Sequence, residues 1–201
     1  MPLRLFVALS LPETLRQELS TLGTGIPGAK WIRPANYHLT LRFVGEIQNW
    51  KADEVDEALS GIRARGFELT LRGLGLFERM GRPSALWTGA ERNDSLNHLQ
   101  TKIETALRRV GLSAERRRFA PHVSLARVEQ ADPAKIAAYL QRHNLFRARP
   151  VAVESFTLYS SLLGKECATY VPEVEYELAP RRELPERPSR MIPPHPVAFA
   201  G

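Results

Sequence analysis

The chain has 201 residues, 43% hydrophobic and 25% charged, which suits one soluble globular domain or two small lobes sharing a core. Its longest apolar run, Leu3 to Leu11, is far too short to span a bilayer, and no signal peptide is expected behind a single early arginine. Cys167, the only cysteine, excludes an internal disulfide and makes a reducing, cytoplasmic setting the expectation, while a net charge of +6 and a pI near 9.8 suit a polyanionic partner.

In chain order, Leu3 to Leu9 reads as a buried strand. Ser10 offers an N-cap and Pro12 suits the first turn of a helix carrying Leu15, Leu19 and Leu22, which stops at Gly23. After a Pro27-Gly28 turn and a short strand from Lys30 to Arg33 comes Asn36-Tyr37-His38-Leu39-Thr40-Leu41-Arg42-Phe43-Val44-Gly45-Glu46. A second helix starts at Asn49, with Val55, Leu59 and Ile62 at helical spacing, and ends near Gly66. Strands follow at Phe67 to Leu76 and Ser84 to Thr88, joined across Met80-Gly81-Arg82-Pro83. Asn93 or Asp94 caps a longer helix with Leu96, Leu99, Ile103 and Leu107 on one side, closing at Gly111. Glu115 to Phe119 leads into Ala120-Pro121-His122-Val123-Ser124-Leu125-Ala126-Arg127-Val128. A helix from Pro133 to about His143 and strands at Val151 to Ser161 and Ala168 to Leu178 complete the packed part.

Two stretches repeat. At period two, His38, Thr40 and Arg42 share a face while Leu39, Leu41 and Phe43 take the other. His122 and Ser124 share a face in the same way, opposite Val123 and Leu125. An imidazole and a hydroxyl in a row are costly to bury without partners, so these faces read as the lining of a polar site. Each half runs helix, short strand, motif strand, helix, strand, strand. The expectation is an α+β protein: two pseudo-symmetric lobes, halves roughly 1–91 and 92–179, with antiparallel-rich sheets facing a central cleft and helices outside. A pseudo-two-fold axis then brings His38 and His122 together. Residues 180–201 form a Pro/Arg-rich tail with no periodicity, expected to be extended or disordered.

Paired histidines suit concerted acid–base chemistry near neutral pH, one accepting a proton while the other donates. Attack on a phosphodiester needs both at once, and hydroxyls two residues on are placed to hold the non-bridging oxygens. A metal site is the competing use, but there is no His-Glu-x-x-His, cysteine pair or acidic cluster beside either histidine. Cys167 reads as a buried structural thiol, and His98, His143 and His195 as surface or capping residues. Arg116-Arg117-Arg118 fits a solvated edge as well as it fits phosphate binding.

With these residues the chain resembles the 2H phosphoesterase superfamily, named for two His-x-Thr/Ser-x motifs, and more closely the RNA 2′,3′-cyclic phosphodiesterases, also called 2′-5′ RNA ligases. The likeness covers about Leu3 to Leu178. It includes Arg4-Leu5-Phe6-Val7-Ala8-Leu9, Trp31 and Arg33-Pro34, both histidine motifs, Leu86-Trp87-Thr88-Gly89 and Leu158-Tyr159-Ser160-Ser161-Leu162. Ser124 stands where many relatives have threonine, which the superfamily pattern allows.

The resemblance implies metal-independent, cofactor-free opening of a terminal 2′,3′-cyclic phosphate to a 2′-phosphate, with 2′-5′ ligation as the reverse-type reaction. It implies His38 protonating the departing 3′ oxygen, His122 activating water, and Thr40 and Ser124 holding phosphoryl oxygens. It also implies an Arg127–phosphate contact and Phe43 near the base. Arg127 and Phe43 both lie five residues after their histidine, so parity turns them away from it unless a bulge or strong twist intervenes. By parity alone, Arg42 is the cleft residue. The expected partner is an RNA bearing a cyclic phosphate end, or a cyclic nucleotide, with no membrane association and a monomeric chain. A non-catalytic RNA-end binder using the same basic cleft is the alternative.

Overall fold

Leu5 to Leu9 is apolar on both faces, and only a strand flanked on both sides and covered can bury such a run. The computed structural model, which describes residues 3–163 and 168–181, places it there. The chain runs β1 (Leu3–Ser10), α1 (Glu13–Ser20), β2 (Lys30–Trp31), a 3₁₀ turn (Pro34–Asn36), β3 (His38–Ile47), α2 (Asn49–Ser60), β4 (Phe67–Leu69), β5 (Leu71–Arg79) and β6 (Arg82–Ala90). It continues through α3 (Asp94–Arg109), β7 (His122–Arg127), α4 (Pro133–Arg142), β8 (Val151–Val153), β9 (Ser155–Leu163) and β10 (Ala168–Glu177).

The main sheet has the order β10-β9-β1-β3-β7-β6-β5, with β2 also pairing β7, and its ladders are antiparallel. The α+β class and antiparallel pairing agree with the sequence. Strands are nevertheless shared crosswise between the halves. The β5–β6 hairpin of the first half lies against β7 of the second, and the β9–β10 hairpin of the second lies against β1 of the first. β3 and β7 meet at one register pair, Leu39 with Val123. These two are fully buried, as is Leu125, with Leu41 nearly so. They join one core with Leu15 and Leu19 of α1, Leu59 of α2, Leu99 and Ile103 of α3 and Ile136 of α4.

Several boundaries differ from the sequence reading for local reasons. Ser10 does not cap α1; it stays in β1, where its hydroxyl bonds Thr157 (3.1 Å) and Tyr159 (2.5 Å), and Pro12 takes the cap position. α2 stops at Ser60, because Gly61 caps it before the expected Gly66. The expected strand from Phe67 to Leu76 is two: β4 turns aside to pair with β8 in a separate ribbon. The strand expected from Val151 divides for the same reason. α3 and α4 start where the sequence puts them, capped by Asn93 (Leu96 N–H to Oδ1, 3.0 Å) and Asp132 (Ala134 N–H to Oδ1, 2.8 Å).

Arg181 pairs with Glu68 of β4 (2.9 Å), so the first residues of the expected tail lie against the domain; residues 182–201 and Cys167 lie outside the described residues. No helix among the described residues is long and apolar enough to cross a membrane.

Because Leu39 seals the junction of the two motif strands, Leu39→Ala is expected to cost about 2–5 kcal/mol, the usual range for a buried leucine cavity. Equilibrium urea unfolding measures it; a loss under about 1 kcal/mol would mean that the junction is held elsewhere.

Candidate active site

The antiparallel register at Leu39 and Val123, extended one residue each way, sets His38 opposite Ser124 and Thr40 opposite His122. Residues directly opposed in such a ladder share a face, with Cβ atoms about 5 Å apart. Each histidine thus lies beside the other motif's hydroxyl, and the four side chains form a quartet about the pseudo-two-fold axis. All four are half-buried, on the face away from the leucine core.

Both imidazoles are held alike. His38 Nδ1 lies 2.8 Å from the Asn36 carbonyl oxygen, and His122 Nδ1 lies 2.6 Å from that of Ala120. A carbonyl oxygen only accepts, so each Nδ1 carries the hydrogen and each Nε2 is left as the titrating atom. Burial holds the His38 pKa below its ordinary value, the Asn36 carbonyl opposes that shift, and charge on His122 adds to it. Burial likewise lowers His122, partly offset by the Ala120 carbonyl. Both rings therefore favour the neutral form, and protonating one makes protonating the other harder. That is the behaviour a base and an acid sharing one substrate need.

The two motif strands also carry the same bulge. Between β1 and β3 the partners step from Ala8–Thr40 to Val7–Arg42, leaving Leu41 extra. Between β6 and β7 they step from Trp87–Ser124 to Leu86–Ala126, leaving Leu125 extra. In each strand the residues three and four after the histidine are both buried, and the fifth is exposed. Phe43 and Arg127 therefore return to the histidine face, the outcome that strand parity alone opposed. Phe43 is 52% exposed, with its ring 6.3 Å from Phe6. A second irregularity leaves Val44 extra before Gly45, whose φ of +89° suits glycine.

Arg42 is the correction. The bulge turns it to the core side, where it is 8% exposed. Its Nε donates to Glu104 of α3 at 2.5 Å, and its other nitrogens donate to the carbonyls of Phe43 and Ser113. It ties β3 to α3 and is not a cleft residue.

Aromatic rings wall the quartet on both sides, and residue parity gave no sign of them. Phe6 and Tyr170 lie 5.0 Å from the His38 ring, Tyr170 edge-on, and Tyr159 stacks on Phe6 at 5.2 Å. Phe77 meets His122 edge-on at 4.7 Å, backed by Trp87 at 5.4 Å. Trp87 lies flat across Gly75 of β5; a Cβ there would sit 2.2 Å from its Cζ2. Phe6 hides in an all-apolar strand, and Gly75 explains itself only once paired with Trp87.

Other candidates lie elsewhere. His98 is exposed, and His143 caps α4 with its ring 4.4 Å from that of Tyr139. Arg116 and Arg117 rim a hollow of about 570 Å³ with Arg42 and Ser113, which none of the quartet lines, and Arg117 pairs with Glu115 at 3.5 Å. Among the described residues no three His, Cys, Asp or Glu side chains gather as metal ligands.

A model of LigT-like phosphoesterases matches residues 9–87 and 89–169. An RNA 2′,3′-cyclic phosphodiesterase of Aeropyrum pernix is 35% identical over 159 residues, 78% of this chain and 89% of that protein. One of Thermotoga maritima is 33% identical over 168 residues, 80% of this chain and 88% of that protein. The crystal structure of E. coli LigT complexed with 3′-AMP superposes with a TM-score of 0.73 at 27% identity, covering 89% of this chain and 99% of that one.

The position of Arg42 is open to a direct check. Arg42→Met leaves the Glu104 carboxylate without its buried partner and is expected to cost about 3–5 kcal/mol. Well below the lowered melting temperature, the rate of the folded fraction should stay near that of the parent. A lost rate at undiminished stability would return Arg42 to the cleft.

Proposed function

The chain belongs to the LigT-like phosphoesterase family, and from that we propose that it opens terminal 2′,3′-cyclic phosphates of RNA, leaving a 2′-phosphate, by paired-histidine catalysis without a metal. The observation that carries this reading is the quartet itself: two Nε2 atoms with fixed Nδ1–H partners, each beside a hydroxyl, on two adjacent strands.

In the proposed reaction, neutral His122 Nε2 removes a proton from water as the oxygen attacks phosphorus. The P–O3′ bond breaks, and protonated His38 Nε2 gives its proton to O3′. The products are a free 3′-hydroxyl and a 2′-phosphomonoester. His122 ends protonated and His38 neutral, and solvent exchange restores them. Thr40 and Ser124 donate to the non-bridging oxygens, stabilising charge that grows in the transition state. Arg127, two rungs beyond Ser124 on the same face, adds positive charge on the RNA-strand side of the site, and Phe43 offers a face to the terminal base. A 5′-hydroxyl in place of water makes the same steps a 2′-5′ ligation without ATP. The relatives' printed names, RNA 2′,3′-cyclic phosphodiesterase, support the reaction class.

The test is incubation with adenosine 2′,3′-cyclic phosphate in EDTA, products being separated against 2′- and 3′-monophosphate standards. The 2′-phosphate is expected, with His38→Ala and His122→Ala each losing roughly 10²–10⁴ in rate. Binding that survives His38→Ala with no turnover by the parent would make the protein an RNA-end binder. Turnover only after divalent metal is restored would remove metal independence.

The pH profile follows from the two lowered pKa values. The rate falls on the acid side as His122 takes up a proton, and on the alkaline side as His38 loses one. Both values lie below the ordinary 6.5 in the free protein, so kcat/KM should peak on the acid side of 6.5. Bound phosphate favours the charged His38, so the kcat profile should lie higher. A rate rising monotonically from about pH 5 to about pH 9 contradicts the pair.

A further inference from the structure

Lys30 and Arg127 stand directly opposite one another in the short β2–β7 ladder. Side chains so opposed share a face, and two like charges there destabilise the sheet. The neighbouring pair is Trp31 with Ala126, on the other face: Trp31 packs on Tyr139 of α4 at 5.9 Å, and Ala126 is buried. Lys30 and Arg127 are thereby turned to the face of His122 and Ser124. Both are exposed, and among the described residues neither has a carboxylate partner.

The row continues across the sheet. Arg127 opposes Ala85 of β6, and Ala85 opposes Phe77 of β5. Ala85, with only a methyl side chain, separates the two cations from Phe77, which is 37% exposed. Nothing in the packing of the fold calls for a repelling pair there. An anion between the two cations reverses the sign of their interaction, and an aromatic ring on the far side of Ala85 suits a base.

We propose that the row Phe77–Ala85–Arg127–Lys30 seats the nucleotide that precedes the terminal one. The phosphodiester joining it to the terminal nucleotide lies between Lys30 and Arg127, and its base lies against Phe77. This deepens the phosphodiesterase reading, on which it rests, by naming the residues that hold the RNA strand upstream of its cyclic end. With Leu125 taken up in the bulge, Arg127 lies two rungs beyond Ser124, about 7 Å by strand rise. That spacing is of the order of the separation of successive phosphates in an extended strand.

The experiment compares steady-state kinetics on adenosine 2′,3′-cyclic phosphate and on a trinucleotide RNA with the same cyclic end, using the parent, Lys30→Ala and Lys30→Arg. The parent should show the lower KM on the trinucleotide. Lys30→Ala should raise that KM about tenfold, the scale of one hydrogen bond to a charged group, with kcat held and the mononucleotide constants changed by less than about twofold. Its log KM should also rise less steeply with log salt, and Lys30→Arg should behave as the parent. A trinucleotide lacking the base before the terminal nucleotide should bind the parent more weakly. Equal effects of Lys30→Ala on both substrates, no effect on the trinucleotide, or no preference by the parent would overturn this subsite alone. Failure of the parent to turn over either substrate would overturn the phosphodiesterase reading and the subsite with it.

Discussion

A single antiparallel contact, Leu39 against Val123, governs where the four motif side chains of this protein lie. The two residues are apolar and fully buried, so their neighbours in the strand must face the other way. Those neighbours are His38, Thr40, His122 and Ser124. The core side of the pair is closed by helices, and the site side opens between aromatic walls. Burying two aliphatic side chains at this point therefore fixes the distance and the facing of two imidazoles far apart in sequence. The sheet continues on both sides of this pair: β1 flanks β3, with the β9–β10 hairpin beyond it, and the β5–β6 hairpin flanks β7, so neither motif strand is left as an unpaired edge.

The quartet was legible in the sequence because its signal is strict alternation, which a four-residue strand segment preserves. The duplication doubled that signal. What lay beyond the fourth residue was not legible, because one extra residue in a strand reverses parity for everything after it. Leu41 and Leu125 are such residues, at matching places in the two motifs, and nothing in their chemistry distinguishes them from ordinary core leucines. Hence Arg42 reads as a cleft residue and is in fact a buried tie to Glu104, while Phe43 and Arg127 read as turned away and lie on the site face. The walls were hidden for a different reason. Phe6 sits in a run that is apolar throughout, and the fit of Trp87 over Gly75 depends on a cross-strand register that sequence does not carry. Helix starts were better marked, since Asn93 and Asp132 supply caps by short-range bonding; Ser10 looked like a cap because its long-range partners Thr157 and Tyr159 are invisible locally.

The same walls account for the electrostatics. Burial of His38 and His122 among these rings lowers both pKa values, and the mutual repulsion of their charged forms discourages double protonation. The carbonyls of Asn36 and Ala120 counter part of that penalty while fixing the tautomer. Positive charge enters from another row, at Lys30 and Arg127, where water still reaches it. The two histidines thus lie where burial shifts their protonation, and the two cations lie at the exposed end of the same face.

The most direct test of this account is nitrogen-15 NMR of the histidine rings, titrated with and without adenosine 2′-phosphate. Both His38 and His122 should be Nδ1–H tautomers when neutral, with Nε2 titrating below the ordinary 6.5 in the free protein. The bound phosphate should raise both values. Nε2–H tautomers, or one histidine unmoved by the ligand, would contradict the claim that a single phosphate sits between two matched imidazoles.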